Sequence, residues 1–234
     1  MKNLVAIELK KINLKNQFLV LLLCNLLILF LSVTLKILVP NQIEMVSQNG
    51  AALPAVQLET MTIIDTLIKA VFIVWEAVLL AEMIVAEFKT KTALMFYTYP
   101  VKITKIILAK LLIILSMMFG YMLLSEVFQN SAFYVLGLFV PSMGYQMNVS
   151  MLPAIFVTTI AGLLLGLISL CVGIMYRSTV GTVVTSILIL CVVTSAAAGP
   201  GGMISKVSVA LVLGGGGLIS GGYALKKIAK EELV

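Results

Sequence analysis

The sequence predicts an all-α integral membrane protein, and its composition and its apolar runs support that class. Of the 234 residues, 61% are apolar and only 11% are charged, and the mean hydropathy is +1.15. A soluble domain is about half apolar and about a quarter charged, so this chain needs lipid as its solvent. In lipid, only helices and closed barrels satisfy the backbone. The apolar runs are continuous rather than alternating, which favours helices.

Six apolar stretches are long enough to cross the bilayer within one domain, 1–234. A spanning helix needs about 20 mostly apolar residues. The predicted spans are 17–39, 61–86, 103–125, 152–175, 179–198 and 207–225. The first resembles a signal peptide in its basic start, but its apolar core is longer than a signal sequence requires, so we expect a retained helix. The preceding residues 1–16 suit a short helix on the membrane surface.

The segment 131–140, SAFYVLGLFV, is ambiguous. About ten apolar residues are too few to cross the bilayer. As a seventh span, the segment would also move Arg177 and the C-terminal lysines to the outer side, against the charge bias. Two interpretations remain: an external interfacial or re-entrant piece, and an extension of the third span.

The distribution of lysine and arginine predicts the orientation. These residues precede the first span, lie between the second and third, and follow the sixth, whereas 41–60 and 126–151 contain none. Basic residues favour the cytoplasmic side, so we expect a multi-pass protein of the cell membrane with both termini cytoplasmic. The net charge of +6 then reflects an inner rim that faces anionic lipid, and nucleic acid is not an expected partner.

Charged residues recur along one face of the second span. At about 100° per residue, Asp65, Lys69, Glu76 and Glu87 share a face, while Glu82 points elsewhere. Asp65 and Lys69 have the spacing of a helical ion pair. A charge in mid-bilayer costs about 2.5–3.5 kcal/mol, so these side chains should face protein or water. They could line a substrate path or form a gate across a dimer, or neighbouring helices could satisfy them as structural charges. A proton relay is less favoured because the chain has no histidine.

Glycines recur in the fourth and sixth spans. Gly162 and Gly166 are four residues apart, as are Gly217 and Gly221, a spacing that allows close helix contact in lipid. The contact could lie within one subunit, or form a dimer seam or a flexible gate. No GxxxxGK[ST] sequence occurs, so we expect no nucleotide-binding loop. The three cysteines lack metal-ligand spacing, and no metal site is expected.

A basic connection joins the second and third spans. Its lysines flank an amphipathic run, Thr92 to Tyr99, that Pro100 ends. By composition alone this is an ordinary positive-inside loop whose aromatic residues lie at the headgroups. The flanking lysines are Lys89, Lys91, Lys102 and Lys105.

This connection resembles the cytoplasmic signature of the permease subunits of type-2 ABC transporters. That signature has a glutamate at the end of the second span, a threonine followed by leucine-rich residues, a proline and then a lysine. The matching residues here are Glu87, Thr92, Leu94, Pro100 and Lys110. The chain departs from the family at Lys91, where glycine is usual, and at Thr104, where a basic residue is common.

The resemblance implies half of a dimeric pore that is driven by a separate ABC ATPase subunit. A second permease, identical or homologous, would complete the pore, and the ATPase would bind ATP and Mg, leaving this chain without a cofactor or enzymatic activity of its own. The segment 88–100 would be a coupling helix that docks on the ATPase. The implied coupling residues are Glu87, Lys89, Lys91, Thr92, Leu94, Pro100, Lys102 and Lys105.

The substrate expectation is weaker than the family resemblance. The chain is similar to small bacterial permeases that export amphipathic peptides or hydrophobic drugs, or confer bacteriocin immunity. A polysaccharide pore would need an aromatic lining, and the chain has a single tryptophan, Trp75. Two alternatives stay open. One is an ion-coupled transporter or channel that works without an ATPase. The other is a membrane scaffold or small intramembrane enzyme, although no HExxH sequence is present.

Overall fold

The computed structural model describes residues 14–38, 60–89, 103–139, 152–194 and 207–231. Within these ranges every regular element is a helix, which confirms the all-α prediction. We label the helices α1 to α6, and α2 continues from Leu80 through a π-helical turn, Ala81–Val85, and a last α-helical turn, Ala86–Lys89. The helices are α1 (Leu14–Leu38), α2 (from Thr60–Leu80), α3 (Ile103–Phe139), α4 (Leu152–Tyr176), α5 (Thr179–Val193) and α6 (Val207–Glu231).

The helices indicate a membrane-spanning protein. In the described part of the chain, α1, α3, α4 and α6 are long and apolar enough to cross a bilayer. The apolar α5 has only 15 residues, and the first part of α2 contains Asp65, Lys69 and Glu76. Membrane character is therefore shown, while the count of six spans stays a prediction. The predicted surface helix before residue 14 and most of the predicted coupling helix lie outside the described residues.

The third span is longer than predicted. The sequence places its end at residue 125, but α3 has 37 residues and ends at Phe139. At about 1.5 Å per residue it is about 55 Å long, well beyond a hydrocarbon core of about 30 Å. The extension is packed, because Phe133 is fully buried in the core. The segment 131–139 therefore continues the third helix, as one of the two interpretations predicts, and it is not a separate re-entrant piece.

The boundary between α4 and α5 is well defined. Arg177 has a positive φ of 46°, the left-handed conformation that commonly ends a helix. The Ser178 hydroxyl then caps α5 by accepting the backbone N–H of Gly181 at 3.1 Å. At its other end α5 stops at Val193, short of the predicted residue 198. Residues 195–198 lie outside the described part of the chain.

Helix α2 lies at the centre of the bundle. It packs against α1, α3, α4 and α5. Its apolar face, with Ile64, Phe72 and Leu80, is fully buried. By contrast, α1 exposes a long apolar face that includes Phe18 and Phe30, as expected of a helix that contacts lipid. Enclosure by other helices lets α2 hold charged residues that a lipid-facing helix could not hold cheaply.

The closest helix contact joins α4 and α6. A Cβ on Gly217 would overlap the carbonyl oxygen of Leu164, and one on Gly214 would lie 3.2 Å from the Cα of Ala161. Gly221 likewise contacts the Leu167 side chain. Such backbone proximity is what small residues allow in lipid. In this structure the Gly217 and Gly221 contacts lie within one subunit.

The α4–α6 contact predicts unequal effects for two neighbouring glycines. Gly217→Ala should destabilise the protein by about 1–3 kcal/mol, because the obstacle is backbone that cannot rotate away. Gly215→Ala is the matched control, since nothing lies within 4 Å of its added methyl group. Unfolding in detergent measures both. Equal stabilities for the two variants would contradict the packing described.

Candidate functional site

Buried charges cluster where α2 meets α3 and α4. Lys69 is 1% exposed. Its ammonium group forms an ion pair with Asp65 and donates a hydrogen bond to the Thr158 hydroxyl of α4 at 2.6 Å. Thr158 in turn donates to the Ala154 carbonyl at 2.9 Å. The predicted Asp65–Lys69 pair is thus formed, and it is anchored to a second helix.

Glu126 of α3 completes this cluster, although the sequence analysis did not single it out. Its carboxyl group contacts that of Asp65 and lies near the charge of Lys69. Asn130, one turn later, donates to Glu126 Oε2 at 3.3 Å and to the Glu126 backbone carbonyl at 2.7 Å. The signal was present in the sequence as a glutamate four residues before an asparagine. It was missed because the predicted span ended at residue 125.

The cluster has more acid than base. Two carboxyl groups, those of Asp65 and Glu126, lie near the single ammonium of Lys69, and only Asp65 forms an ion pair with it. Asp65 Oδ1 and Glu126 Oε1 are both buried, and neither accepts a hydrogen bond from an N–H or hydroxyl group of a described residue, although the two carboxyl groups contact each other. A buried acceptor without a donor costs about 1–3 kcal/mol, and more when it is charged. The site therefore needs a further hydrogen-bond donor, and a proton shared between the two carboxyl groups would supply it.

Glu76 lies deepest, about two turns beyond Lys69. It is fully buried, and neither carboxyl oxygen has a hydrogen-bond partner among the described residues. The carboxyl group occupies the space that a Cβ on Gly166 of α4 would fill. The glycine at 166 thus makes room for the glutamate at 76. The sequence analysis treated the two residues as separate features, since no sequence pattern links positions so far apart.

A second ion pair lies at the other end of α2. Lys110 of α3 is 2% exposed and pairs with Glu87. Its ammonium also lies 3.5 Å from the Met83 carbonyl, within the π-helical turn. That turn changes the helical phase before Glu87, so a regular α-helical wheel does not describe its direction. Glu82 is exposed, in line with the predicted face.

Most of the basic connection lies outside the described residues. Lys89 ends the last turn of α2, and Lys105 is exposed in the first turn of α3. The other predicted coupling residues lie outside the described part of the chain: Lys91, Thr92, Leu94, Pro100 and Lys102.

A polar network that the sequence analysis missed ties α1 to α3. The Ser125 hydroxyl donates to Asn25 Oδ1 at 2.5 Å, and Gln129 donates to the Asn25 backbone carbonyl at 2.7 Å. Asn25 itself donates to the Leu21 carbonyl at 3.0 Å. Interhelical hydrogen bonds of this kind fix helix register in lipid. Through Ser125 and Gln129, the network also holds the part of α3 that contains Glu126.

Comparison with known proteins gives one relationship. No family model matches this chain, and no solved structure matches it. The sequence is 32% identical over 183 residues to the uncharacterized protein YcbO of Bacillus subtilis (strain 168), covering 74% of this chain and 78% of YcbO. The chain belongs to the YcbO family. That name assigns no activity.

The Glu76–Gly166 contact predicts a coupled pair of substitutions. Gly166→Ala should lower stability by about 1–3 kcal/mol, because the methyl group and the carboxyl group compete for one space. In a Glu76→Ala background the same glycine substitution should cost little, because the competing group is gone. A double-mutant cycle of detergent unfolding measures the coupling.

The matched control is Gly120→Ala, a glycine in a transmembrane helix with nothing within 4 Å of the added Cβ. Gly120→Ala should change the free energy of unfolding by the same amount in the wild-type and in the Glu76→Ala background. Additive effects of Gly166→Ala and Glu76→Ala would show that the two side chains do not compete.

Proposed function

We propose that this chain is the transmembrane subunit of an ATP-driven exporter similar to type-2 ABC transporters. Two such subunits, identical or homologous, form the translocation path, and a separate ATPase subunit binds ATP and Mg. The chain lies in a bacterial cell membrane with both termini in the cytoplasm. Its substrate is an amphipathic peptide or a hydrophobic drug, which would make it a determinant of antimicrobial resistance.

The observation that supports this proposal best is the Glu87–Lys110 ion pair. These residues are the first and last of the signature that resembles the ABC permeases. They are 23 positions apart in sequence, and their pairing closes the connection between α2 and α3 at its base. A force applied to the connection would then move the adjoining ends of α2 and α3 together.

The position of α2 supports transmission of such a push. Because α2 packs against α1, α3, α4 and α5, it cannot shift without changing its contacts with those helices. Its buried charges lie further along the same helix, away from the connection. A movement that begins at Glu87 would therefore alter the surroundings of Glu76 and of the Asp65–Lys69 pair.

The buried carboxyl groups favour one other candidate, an ion-coupled transporter or channel that needs no ATPase. The oxygens of Glu76, and one oxygen each of Asp65 and Glu126, lack donors among the described residues, as a site for a transported cation would require. The two functions differ in energy source. Transport by the purified chain alone in vesicles, driven by an ion gradient, would establish the second and exclude the first.

The first test is association with an ABC ATPase, which the proposal expects to be encoded in a reading frame next to that of this chain. Lys89→Glu combined with Pro100→Ala should reduce co-purification with the ATPase at least about tenfold, because a docking surface loses both charge and shape. Glu82→Gln, on an exposed part of α2, is the control and should co-purify normally. If the double variant associates with the ATPase and supports ATP hydrolysis like the wild type, the segment 88–100 is not the coupling helix.

The second test is a charge exchange at the base of the connection. Lys110→Glu places two carboxyl groups together and should cost about 3–5 kcal/mol of stability, as expected when a mostly buried ion pair is broken. Glu87→Lys combined with Lys110→Glu restores opposite charges and should recover both folding and substrate-stimulated ATP hydrolysis. Thermal unfolding and ATPase rate are measured on the same samples.

The exchanged pair separates coupling from stability. If the double variant folds like the wild type yet shows no substrate-stimulated ATP hydrolysis, the identity of the two residues matters beyond their pairing. If Lys110→Glu alone is fully stable and active, the ion pair has no part in transmission.

A further inference from the structure

Most carboxyl oxygens of the charge cluster have an identified hydrogen-bond donor. Asp65 Oδ2 accepts a hydrogen bond from the Lys69 ammonium, which also donates to the Thr158 hydroxyl. Glu126 Oε2 accepts one from the Asn130 amide at 3.3 Å. Two oxygens remain, Asp65 Oδ1 and Glu126 Oε1, and both are buried without an N–H or hydroxyl donor among the described residues.

The two carboxyl groups lie within hydrogen-bonding distance of each other. Both are removed from solvent, since Asp65 is 4% exposed and Glu126 is 7% exposed. Two carboxylates cannot form a hydrogen bond, because an ionised carboxyl group is only an acceptor. A single proton converts one of them into a donor, as in other pairs of carboxyl groups that share a site.

The charges around the pair also favour one bound proton. Among the described residues, Asp65 and Lys69 of α2 are the charged side chains that act on Glu126. The neighbouring helices contribute neutral polar groups: Thr158 of α4 contacts Lys69, and Asn25 of α1 contacts Gln129. With both carboxyl groups ionised, the buried cluster has one excess negative charge, which is costly away from water. With one proton bound, the cluster is neutral.

We propose that Glu126 is a proton-binding residue, and that its bound proton fastens α3 to α2. The proton lies on Glu126 rather than on Asp65, because the ion pair with Lys69 favours the ionised form of Asp65. The Glu126 hydroxyl, at Oε1, then donates to Asp65 Oδ1, while Oε2 still accepts from Asn130. No carboxyl oxygen of the pair is left without a partner.

The bound proton and the contact between α2 and α3 depend on each other. Because Asp65 Oδ1 and Glu126 Oε1 are buried, the proton can leave only when the two carboxyl groups separate. After it has left, two carboxylates would repel each other if the contact formed again. This fastening needs neither ATP nor a partner subunit, so it does not rest on the proposed export function.

The proton is tested by infrared spectroscopy of the full-length chain in dodecyl maltoside, a detergent without a carbonyl group. A protonated carboxyl group gives a C=O stretch at higher frequency than the amide band of the backbone. At neutral pH the wild type should show such a band, and Glu126→Gln should lack it. Glu76→Gln identifies any band from the other buried carboxyl group.

A second variant tests the assignment without removing the acid. Asn130→Ala removes the hydrogen bond to Glu126 Oε2, so the C=O stretch of Glu126 should move to higher frequency. Glu82→Gln, at an exposed carboxyl group, should leave the spectrum unchanged. If no acid band of the wild type is shifted by Asn130→Ala, the proton is not on Glu126 and the proposal is overturned. This comparison decides even if Glu126→Gln fails to fold.

Denaturant unfolding at several pH values measures the fastening. A glutamate of the unfolded chain is ionised above about pH 5. The folded chain then holds one proton more than the unfolded chain, so a rise in pH favours unfolding. The ratio of folded to unfolded protein should fall with pH more steeply in the wild type than in Glu126→Gln, by about tenfold per pH unit. The amide of Glu126→Gln keeps a donor for Asp65 at every pH, and an equal pH dependence of the two proteins would contradict the fastening.

The single tryptophan of the chain reports on the same helix contact in the folded protein. Trp75 of α2 stacks on Tyr121 of α3, with ring centroids 5.6 Å apart. Alkaline pH should change the Trp75 emission of the wild type, because α3 is released from α2, and should change that of Glu126→Gln much less. Tyr121 and Glu76 are present in both proteins, so effects of their own ionisation cancel. The same change in both proteins would show that the Glu126 proton does not hold α3.

Discussion

The structure depends on one constraint: charged side chains in a membrane-spanning chain must be enclosed by protein. Asp65, Lys69 and Glu76 lie on one face of α2, and a charge exposed to the bilayer centre costs about 2.5–3.5 kcal/mol on insertion scales. The fold meets this constraint by surrounding α2 with α1, α3, α4 and α5. Most of α1, in contrast, is apolar and exposed. The central position of α2 is therefore a consequence of its sequence.

The surrounding helices supply ion-pair and hydrogen-bond partners more completely to the buried lysines than to the buried carboxyl groups. Lys69 pairs with Asp65 and Thr158, and Lys110 pairs with Glu87. Glu76 and Glu126 retain oxygens without a donor in the described part of the chain. The resulting interior is acidic, although the chain as a whole has a net charge of +6.

Composition and periodicity were sufficient for the helices and for the charged face of α2, because both depend on local sequence. Contacts between positions far apart in the chain could not be predicted from local sequence. Nothing in the sequence pairs Glu76 with Gly166, and the importance of Glu126 was hidden because the polar residues of 125–131, SEVFQNS, resemble the end of a span. The π-helical turn at Ala81–Val85 has no evident sequence signal either, so the direction of Glu87 could not be derived from a regular wheel.

Helices α2 and α3 contact each other through charge at both ends. Glu87 meets Lys110 at one end, and Asp65 meets Glu126 at the other, about 24 Å further along α3. Because the same two helices form both contacts, a rotation or a shift of one against the other must change both. The π-helical turn lies in α2 between the two contacts, where its irregular hydrogen bonding can adjust at lower cost than a regular helix. The charge cluster around Glu126 and the base of the basic connection are therefore linked through one pair of helices. In the proposed exporter, this pair is how a partner that acts on the connection would change the affinity of a site near the opposite face of the membrane.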